Sequence, residues 1–228
     1  MQKVNKKISL FFWPLIKLYL TGKEIKKVFE VILAAYKIKL IVYFPHVSGV
    51  SIVYNSYRII FDKIVSISLG NTSKGYTEID ISDTKKMYSL VCTSYVGRFL
   101  WDLRKLSFGI YSIAPKDEKG NYLESVEKAI FDADSLQDGT QELKEWQAFF
   151  SHLKSFPDVN SNKIPDISIN DITSEKRLNK ISSFAKNDLF KNTSYVTWSV
   201  SLVLIVFILG FLILTKKGLV IISGKKSY

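Results

Sequence analysis

Hydrophobic and polar residues alternate in short runs through the first half of the chain, which is the pattern of β-strands. Between residues 38 and 93, runs rich in Val, Ile and Tyr are separated by turn residues such as Asn, Gly and Asp. In residues 76–82 the isoleucines fall on one face and the acids on the other, as in an antiparallel strand with one solvated face. We predict an antiparallel meander sheet with strands near residues 38–44, 49–54, 57–61, 63–69, 76–82 and 87–93.

Apolar residues also recur at helical spacing, which predicts several amphipathic helices around this sheet. The pattern covers the first half of residues 23–44 and then residues 95–106, 122–131 and 142–153. Asn121, followed three residues later by Glu124, adds an N-cap signature to the third of these helices. These elements predict one globular domain of the α+β class at residues 23–156.

An uninterrupted apolar run lies near the end of the chain. Residues 195–215 contain no charged side chain, and Lys216 and Lys217 follow directly. At a helical rise of about 1.5 Å per residue the run reaches about 31 Å, the thickness of a bilayer's hydrocarbon core. It predicts one transmembrane helix, with a polar linker at 157–194 before it and a basic tail at 216–228 after it. A short helix is expected in the linker near residues 174–184.

The N-terminal segment, residues 1–22, combines basic residues with the apolar stretch 8–20, which Pro14 interrupts. We predict that it forms a helix in the membrane interface. An atypical signal or anchor, and an ordinary element of the core, remain open as alternatives. The membrane-contacting residues predicted in the two apolar segments are Phe11, Phe12, Trp13, Lys17, Trp198, Lys216 and Lys217.

The charge of the chain is unevenly distributed. The formal net charge of +11 divides into +6 over residues 1–27, −2 over residues 28–174 and +7 over residues 175–228. Because the basic excess lies in the flanks, we expect attraction to a bilayer with anionic headgroups rather than to nucleic acid. Other membrane proteins are the further partners that we expect.

Residues that carry chemistry are scarce. The chain has only His46, His152 and the single Cys92, which excludes a cysteine-rich zinc site, a two-histidine HExxH helix and a CxxC redox pair. The loop at residues 70–75 has the glycine spacing of a phosphate loop, but Tyr76 stands where that motif requires lysine. We therefore predict a hairpin loop there, and we assign no catalytic, metal-binding or cofactor-binding residue.

A small antiparallel sheet followed by an amphipathic helix with a central tryptophan (ELKEWQAFFSHL) resembles the order of a pleckstrin-homology-type domain. The resemblance covers residues 38–153. It implies a module that binds lipid headgroups or docks another protein.

These observations together predict a non-enzymatic, tail-anchored binding or scaffold module in a membrane complex, with its domain on the cytoplasmic side. Export of the domain is the open alternative for its location. Two other functions also remain open, a membrane-disrupting or channel-forming effector and an enzyme of unrecognised type.

Overall fold

The computed structural model describes residues 13–37, 46–106, 113–167 and 177–224, and its centre is the helix α1 (Gly22–Lys37). Within these residues the strands form two separate sheets, and α1 packs against both. The amphipathic pattern explains this position. Ile25 and Ile32, on the apolar face of α1, contact the hydrophobic clusters that belong to the two sheets.

The smaller sheet pairs β1 (Leu15–Thr21) with β5 (Met87–Thr93) in antiparallel fashion, and Leu15 lies opposite Thr93. Strand β1 alternates strictly, so that Ile16, Leu18 and Leu20 are almost completely buried. Helix α2 (Ser94–Leu106) follows β5 directly and covers this sheet together with a 3-10 turn at Val126–Ala129.

The larger sheet has the order β4 (Gly75–Glu78), β3 (Ile64–Asn71), β2 (Val50–Asn55), β6 (Leu178–Ile181). Its first two pairings are antiparallel, whereas β2 and β6 run parallel. Fully buried isoleucines on β2 and β3 pack in the second cluster, which α1 also contacts. The remaining helices are α3 (Glu145–Leu153), α4 (Lys186–Phe190) and α5 (Tyr195–Gly224).

Helix α1 begins at a capping box that joins it to β1. The Thr21 backbone N–H donates to Glu24 Oε2 at 2.9 Å, and the Glu24 backbone N–H donates to Thr21 Oγ1 at 3.3 Å. Lys116 Nζ donates to both oxygens of the Glu24 carboxylate at 2.8 Å. Burial alone would raise the pKa of Glu24, but these hydrogen bonds outweigh it and hold the pKa below its ordinary value.

The predicted fold class, an antiparallel meander related to a pleckstrin-homology domain, is wrong. The strands divide between two sheets, and a parallel pairing brings in β6 from the far end of the chain. The predicted strands at 49–54, 63–69 and 87–93 are confirmed by β2, β3 and β5, and β4 corresponds to the first part of 76–82. Residues 57–61 form turns instead, and the strand predicted at 38–44 lies outside the described residues.

The prediction of an interfacial helix at residues 8–20 is wrong for its described part, residues 13–20, which contains no helix and enters strand β1 at Leu15. The alternative of an ordinary core element holds there. The predicted helix at 122–131 is reduced to the 3-10 turn, because bridges between Lys116 and Tyr122 and between Ile16 and Ile130 keep the flanking backbone extended. Within residues 174–184, the described part contains β6 rather than a helix.

Helix α5 exposes most of its apolar side chains between Leu202 and Ile213. In the part of the chain that the structure describes, no helix is long and apolar enough to cross a membrane. This finding overturns the transmembrane helix predicted at residues 195–215 and the tail-anchored architecture built on it.

Candidate functional site

A cleft of about 590 Å³ opens between α1, β5 and the segment that leads into β2. Its volume lies within the range of about 300 to 1,000 Å³ that is usual for small-molecule pockets. In the described structure β5 pairs only with β1, so its other edge carries no further strand beside the cleft.

The walls of the cleft are apolar, and each wall comes from a different element. Helix α1 supplies Ile25, Val28, Phe29 and Ile32, from the same face that fills the two cores. The β5 wall consists of residues 88–92, and the opposite wall of residues 46–50 with Leu69. At the mouth lie Val91, Val96 and Phe99, which are 54%, 49% and 37% exposed.

Gly97 allows α2 to lie close enough to β1 to form one side of this cleft. A Cβ atom at Gly97 would stand 2.1 Å from Ile16 Cδ1 and 3.6 Å from Cys92 Sγ. A larger residue would therefore push α2 away from β1. This requirement is not visible in the sequence, where Gly97 appears as an ordinary glycine in a helical pattern.

The cleft contains little charge. None of its described lining residues is Asp, Glu, Lys or Arg, and its polar groups are His46, Ser48, Ser89, the Tyr88 hydroxyl and the Cys92 thiol. Burial raises the pKa of Cys92 to about 11. The thiol is thus protonated at neutral pH and is not a nucleophile there. Such a surface suits an uncharged, flat or apolar ligand group.

The residues predicted to contact a membrane do not meet at this cleft. Trp13 is half-buried, with its ring centroid 5.6 Å from that of Tyr95, and Lys17 Nζ lies 5.5 Å from the centre of the Tyr19 ring. Trp198 stacks on Phe190 at 5.6 Å. Phe11, Phe12 and the side chains of Lys216 and Lys217 lie outside the described part. Contact of these residues with anionic lipid stays a prediction.

The other candidates from the sequence are separated in the structure. His46 lines the cleft, whereas His152 lies on α3, where its ring is 5.0 Å from that of Phe156. The loop at residues 70–75 joins β3 to β4, which confirms a hairpin. Among the described residues, no group of three or more His, Cys, Asp or Glu side chains is placed to hold a metal ion.

Comparison with known proteins finds a family model that matches part of the chain. The family model of the 5′-nucleotidase C-terminal domain matches residues 7–98, which is less than half of the chain. This match is to an enzyme-related domain, so it favours the enzyme alternative over the scaffold interpretation. No curated protein matches the chain.

Among solved structures, the chain is similar to a 5′-nucleotidase precursor from Thermus thermophilus, at 17% identity and a TM-score of 0.42. The similarity covers 76% of this chain and 26% of that protein, so the chain spans about a quarter of its length. Apart from Phe99 and Leu100, every residue that lines the cleft falls within the segment matched by the family model.

Sequence reasoning missed the cleft because it did not place β1 in the core. The run Ile16, Lys17, Leu18, Tyr19, Leu20 does alternate, and this signal could have identified a strand. The neighbouring aromatic and basic residues favoured a membrane interpretation instead. The sequence also contains the capping pair Thr21 and Glu24, which marks the start of α1.

Proposed function

We propose that the chain supplies a ligand-binding domain of a 5′-nucleotidase-type enzyme and that the apolar cleft receives the base of a 5′-nucleotide. The observation that carries this proposal is the coincidence of the cleft with the matched segment. The family match concerns residues 7–98, and the cleft is built almost entirely from them.

The chemistry of the cleft supports a base as its occupant. A nucleobase has two flat apolar faces, and stacking on an aromatic side chain contributes about 1 to 3 kcal/mol per base. Phe99 lines the cleft and 37% of its surface is exposed, so this aromatic residue is partly open to contact with a ligand. The hydroxyl groups of Ser48 and Ser89 can form hydrogen bonds with the polar edges of a base.

The experiment compares two matched tryptophan substitutions in the full chain. Ser48 and Ser73 are both exposed serines outside the helices, but only Ser48 lines the cleft. Ser48→Trp should fill the mouth and weaken binding of adenosine 5′-monophosphate at least tenfold in isothermal titration calorimetry. Ser73→Trp should leave the affinity of the chain unchanged.

Two results would refute the proposal. One is the absence of saturable nucleotide binding by the unaltered chain at millimolar concentration. The other is equal affinity of the Ser48→Trp and Ser73→Trp chains, because the nucleotide would then bind elsewhere. Phe99→Ala provides a second measure, and the stacking energy above predicts a loss of about fivefold to more than a hundredfold in affinity.

A further inference from the structure

A second cavity, of about 280 Å³, lies on the face of α1 opposite the apolar cleft. We propose that it is a binding site for a phosphate group, either free or carried by a small molecule. Its walls come from α1, from the turn before β3, from the segment after β4 and from residues 192–195, which lead into α5. The lining residues are Lys23, Lys26, Lys27, Glu30, Phe61, Ile81, Ser82, Asn192, Thr193, Ser194 and Tyr195.

The charge of this cavity is positive. Three lysines face one carboxylate among its lining residues, and the nearby Asp62 binds Lys26 Nζ at 2.6 Å. Lys26 also donates to the backbone oxygen of Asn192 at 2.6 Å, so its ammonium group is held in place. Lys23 and Lys27 add two further positive charges to the same wall.

Lys23 and Lys27 are four residues apart and thus lie on the same side of α1. The pKa of Lys27 is lowered, first by its burial and then by the charge of Lys23. An anion placed near the two ammonium groups would compensate both effects. Lysine is a common partner of phosphate in proteins, where it acts as a point charge.

Ser194 adds an independent sign of a ligand. Its hydroxyl oxygen has less than 1 Å² of exposed surface and no hydrogen-bond partner in the described structure. The Ser194 backbone is fixed at the cavity wall, because its N–H donates to Asp62 Oδ2 at 2.7 Å. Buried hydroxyls without a partner are rare in folded proteins. Rotation of the Ser194 side chain about χ1 towards the cavity would let this hydroxyl donate to an anionic oxygen there.

This site is separate from the cleft of the proposed function. Residues 192–195 form one wall, and they lie beyond the segment that matches the 5′-nucleotidase model. The apolar face of α1 points to the cleft, whereas Lys23, Lys26 and Lys27 line the second cavity. Occupation of one site therefore does not require the other.

The test measures binding of inorganic phosphate to the full chain by isothermal titration calorimetry at constant ionic strength. The double variant Lys23→Gln with Lys27→Gln should weaken binding at least tenfold. The matched control is Lys85→Gln with Lys86→Gln, two exposed lysines that do not line the cavity, and it should bind as the unaltered chain does. Ser194→Ala removes only a hydroxyl without a partner, so it should keep the fold and weaken binding about threefold to tenfold.

Absence of saturable phosphate binding, or equal loss in the two double variants, would overturn the proposal. Loss of phosphate binding in the Ser48→Trp chain would overturn it as well, because the anion would then occupy the apolar cleft. The source of the phosphate is read from a parallel titration with glycerol 3-phosphate. Tighter binding of this ester supports a phosphorylated small molecule, and tighter binding of inorganic phosphate supports the free ion.

Discussion

Replacing Asp62 with Asn removes the charge at the centre of the junction that joins α1 to the C-terminal part of the chain. The Asp62 side chain is completely buried, and it accepts hydrogen bonds from Lys26 Nζ at 2.6 Å, from the Ser194 backbone N–H at 2.7 Å and from the Thr197 hydroxyl. The asparagine has nearly the same shape. It cannot balance the ammonium group of Lys26, whose side chain is only 10% exposed.

The magnitude follows from leaving that ammonium group without its counter-charge. Removing one partner of a buried ion pair costs about 3 to 5 kcal/mol, whereas an exposed pair contributes about 0 to 1 kcal/mol. We therefore expect Asp62→Asn to lower the free energy of unfolding by about 3 to 5 kcal/mol. The matched control is Glu78→Gln, which removes the ion pair to Lys191 at 2.7 Å, where the two side chains are 46% and 43% exposed. That change should cost less than about 1 kcal/mol.

Urea unfolding followed by circular dichroism measures the free energy of unfolding of both variants. The pH dependence of that free energy supplies a second readout. Burial alone would raise the pKa of Asp62, but hydrogen bonds from Lys26, Thr197 and Ser194 outweigh it, so the folded pKa is depressed. The stabilisation is then complete above the unfolded Asp pKa of about 3.9 and is lost as the pH falls through the folded value. The difference in the free energy of unfolding between the unaltered chain and Asp62→Asn should therefore become smaller as the pH falls below about 3.9. A cost below about 1 kcal/mol at neutral pH, or a difference that grows on acidification, would refute this reasoning.

Three further predictions concern the packing around the cleft and the C-terminal strand. Gly97→Ala should lower the free energy of unfolding in urea by about 1 to 3 kcal/mol, because its Cβ would meet Ile16 Cδ1 at 2.1 Å. Adding Ile16→Val, which removes that atom, should recover part of the loss. If the effects of the two substitutions on the free energy of unfolding simply add, the contact is contradicted. Cys92 in the folded chain should alkylate with iodoacetamide at a rate that still rises towards a pH of about 11, measured by mass spectrometry, whereas a plateau near pH ~8.5 would mean an exposed thiol. Asn55→Ala should lower the free energy of unfolding by about 1 to 3 kcal/mol, because the buried Asn55 amide donates to two backbone carbonyls. Amide hydrogen exchange in β6 should become faster in this variant. Unchanged exchange in β6 would show that these hydrogen bonds do not hold the strand in place.

The elements that could be predicted from sequence are those whose pattern is local. Helices α1, α2 and α3 carry an apolar face that a helical wheel reveals, and β2, β3 and β5 are rich in β-branched residues. The elements against which they pair or pack, however, lie far away in the sequence. Strand β1 pairs with β5 at the other end of the matched segment, and nothing in the alternation of Ile16, Leu18 and Leu20 identifies that partner.

The helix predicted at residues 122–131 shows how a local signal can lose to tertiary contacts. Asn121 and Glu124 have the spacing of a helix cap, yet the Asn121 side chain donates to Asp117 and closes a turn instead. The Phe131 backbone N–H bonds to the Leu15 carbonyl at 2.8 Å, which fixes the end of this segment along β1. A four-residue 3-10 turn is the helical structure that these two constraints leave between them.

The polar composition of the segment before α5 predicts a linker. Composition alone does not show which protein groups replace water as hydrogen-bond partners of the segment. Strand β6 lies parallel to β2, and the Ile52 N–H donates to the Arg177 carbonyl at 2.7 Å. The rest of the segment is bound by two side chains that are themselves polar and buried. Arg58 donates to the carbonyls of Asp188 and Lys191. Asn55 donates to the carbonyls of Ser183 and Asp188. A hydrophobic scan assigns no core to such a junction. The last residues of this segment, 192–194, form one wall of the lysine-lined cavity. A local sequence pattern cannot reveal that site, because only the placement of the segment against α1 brings Ser194 close to the lysines.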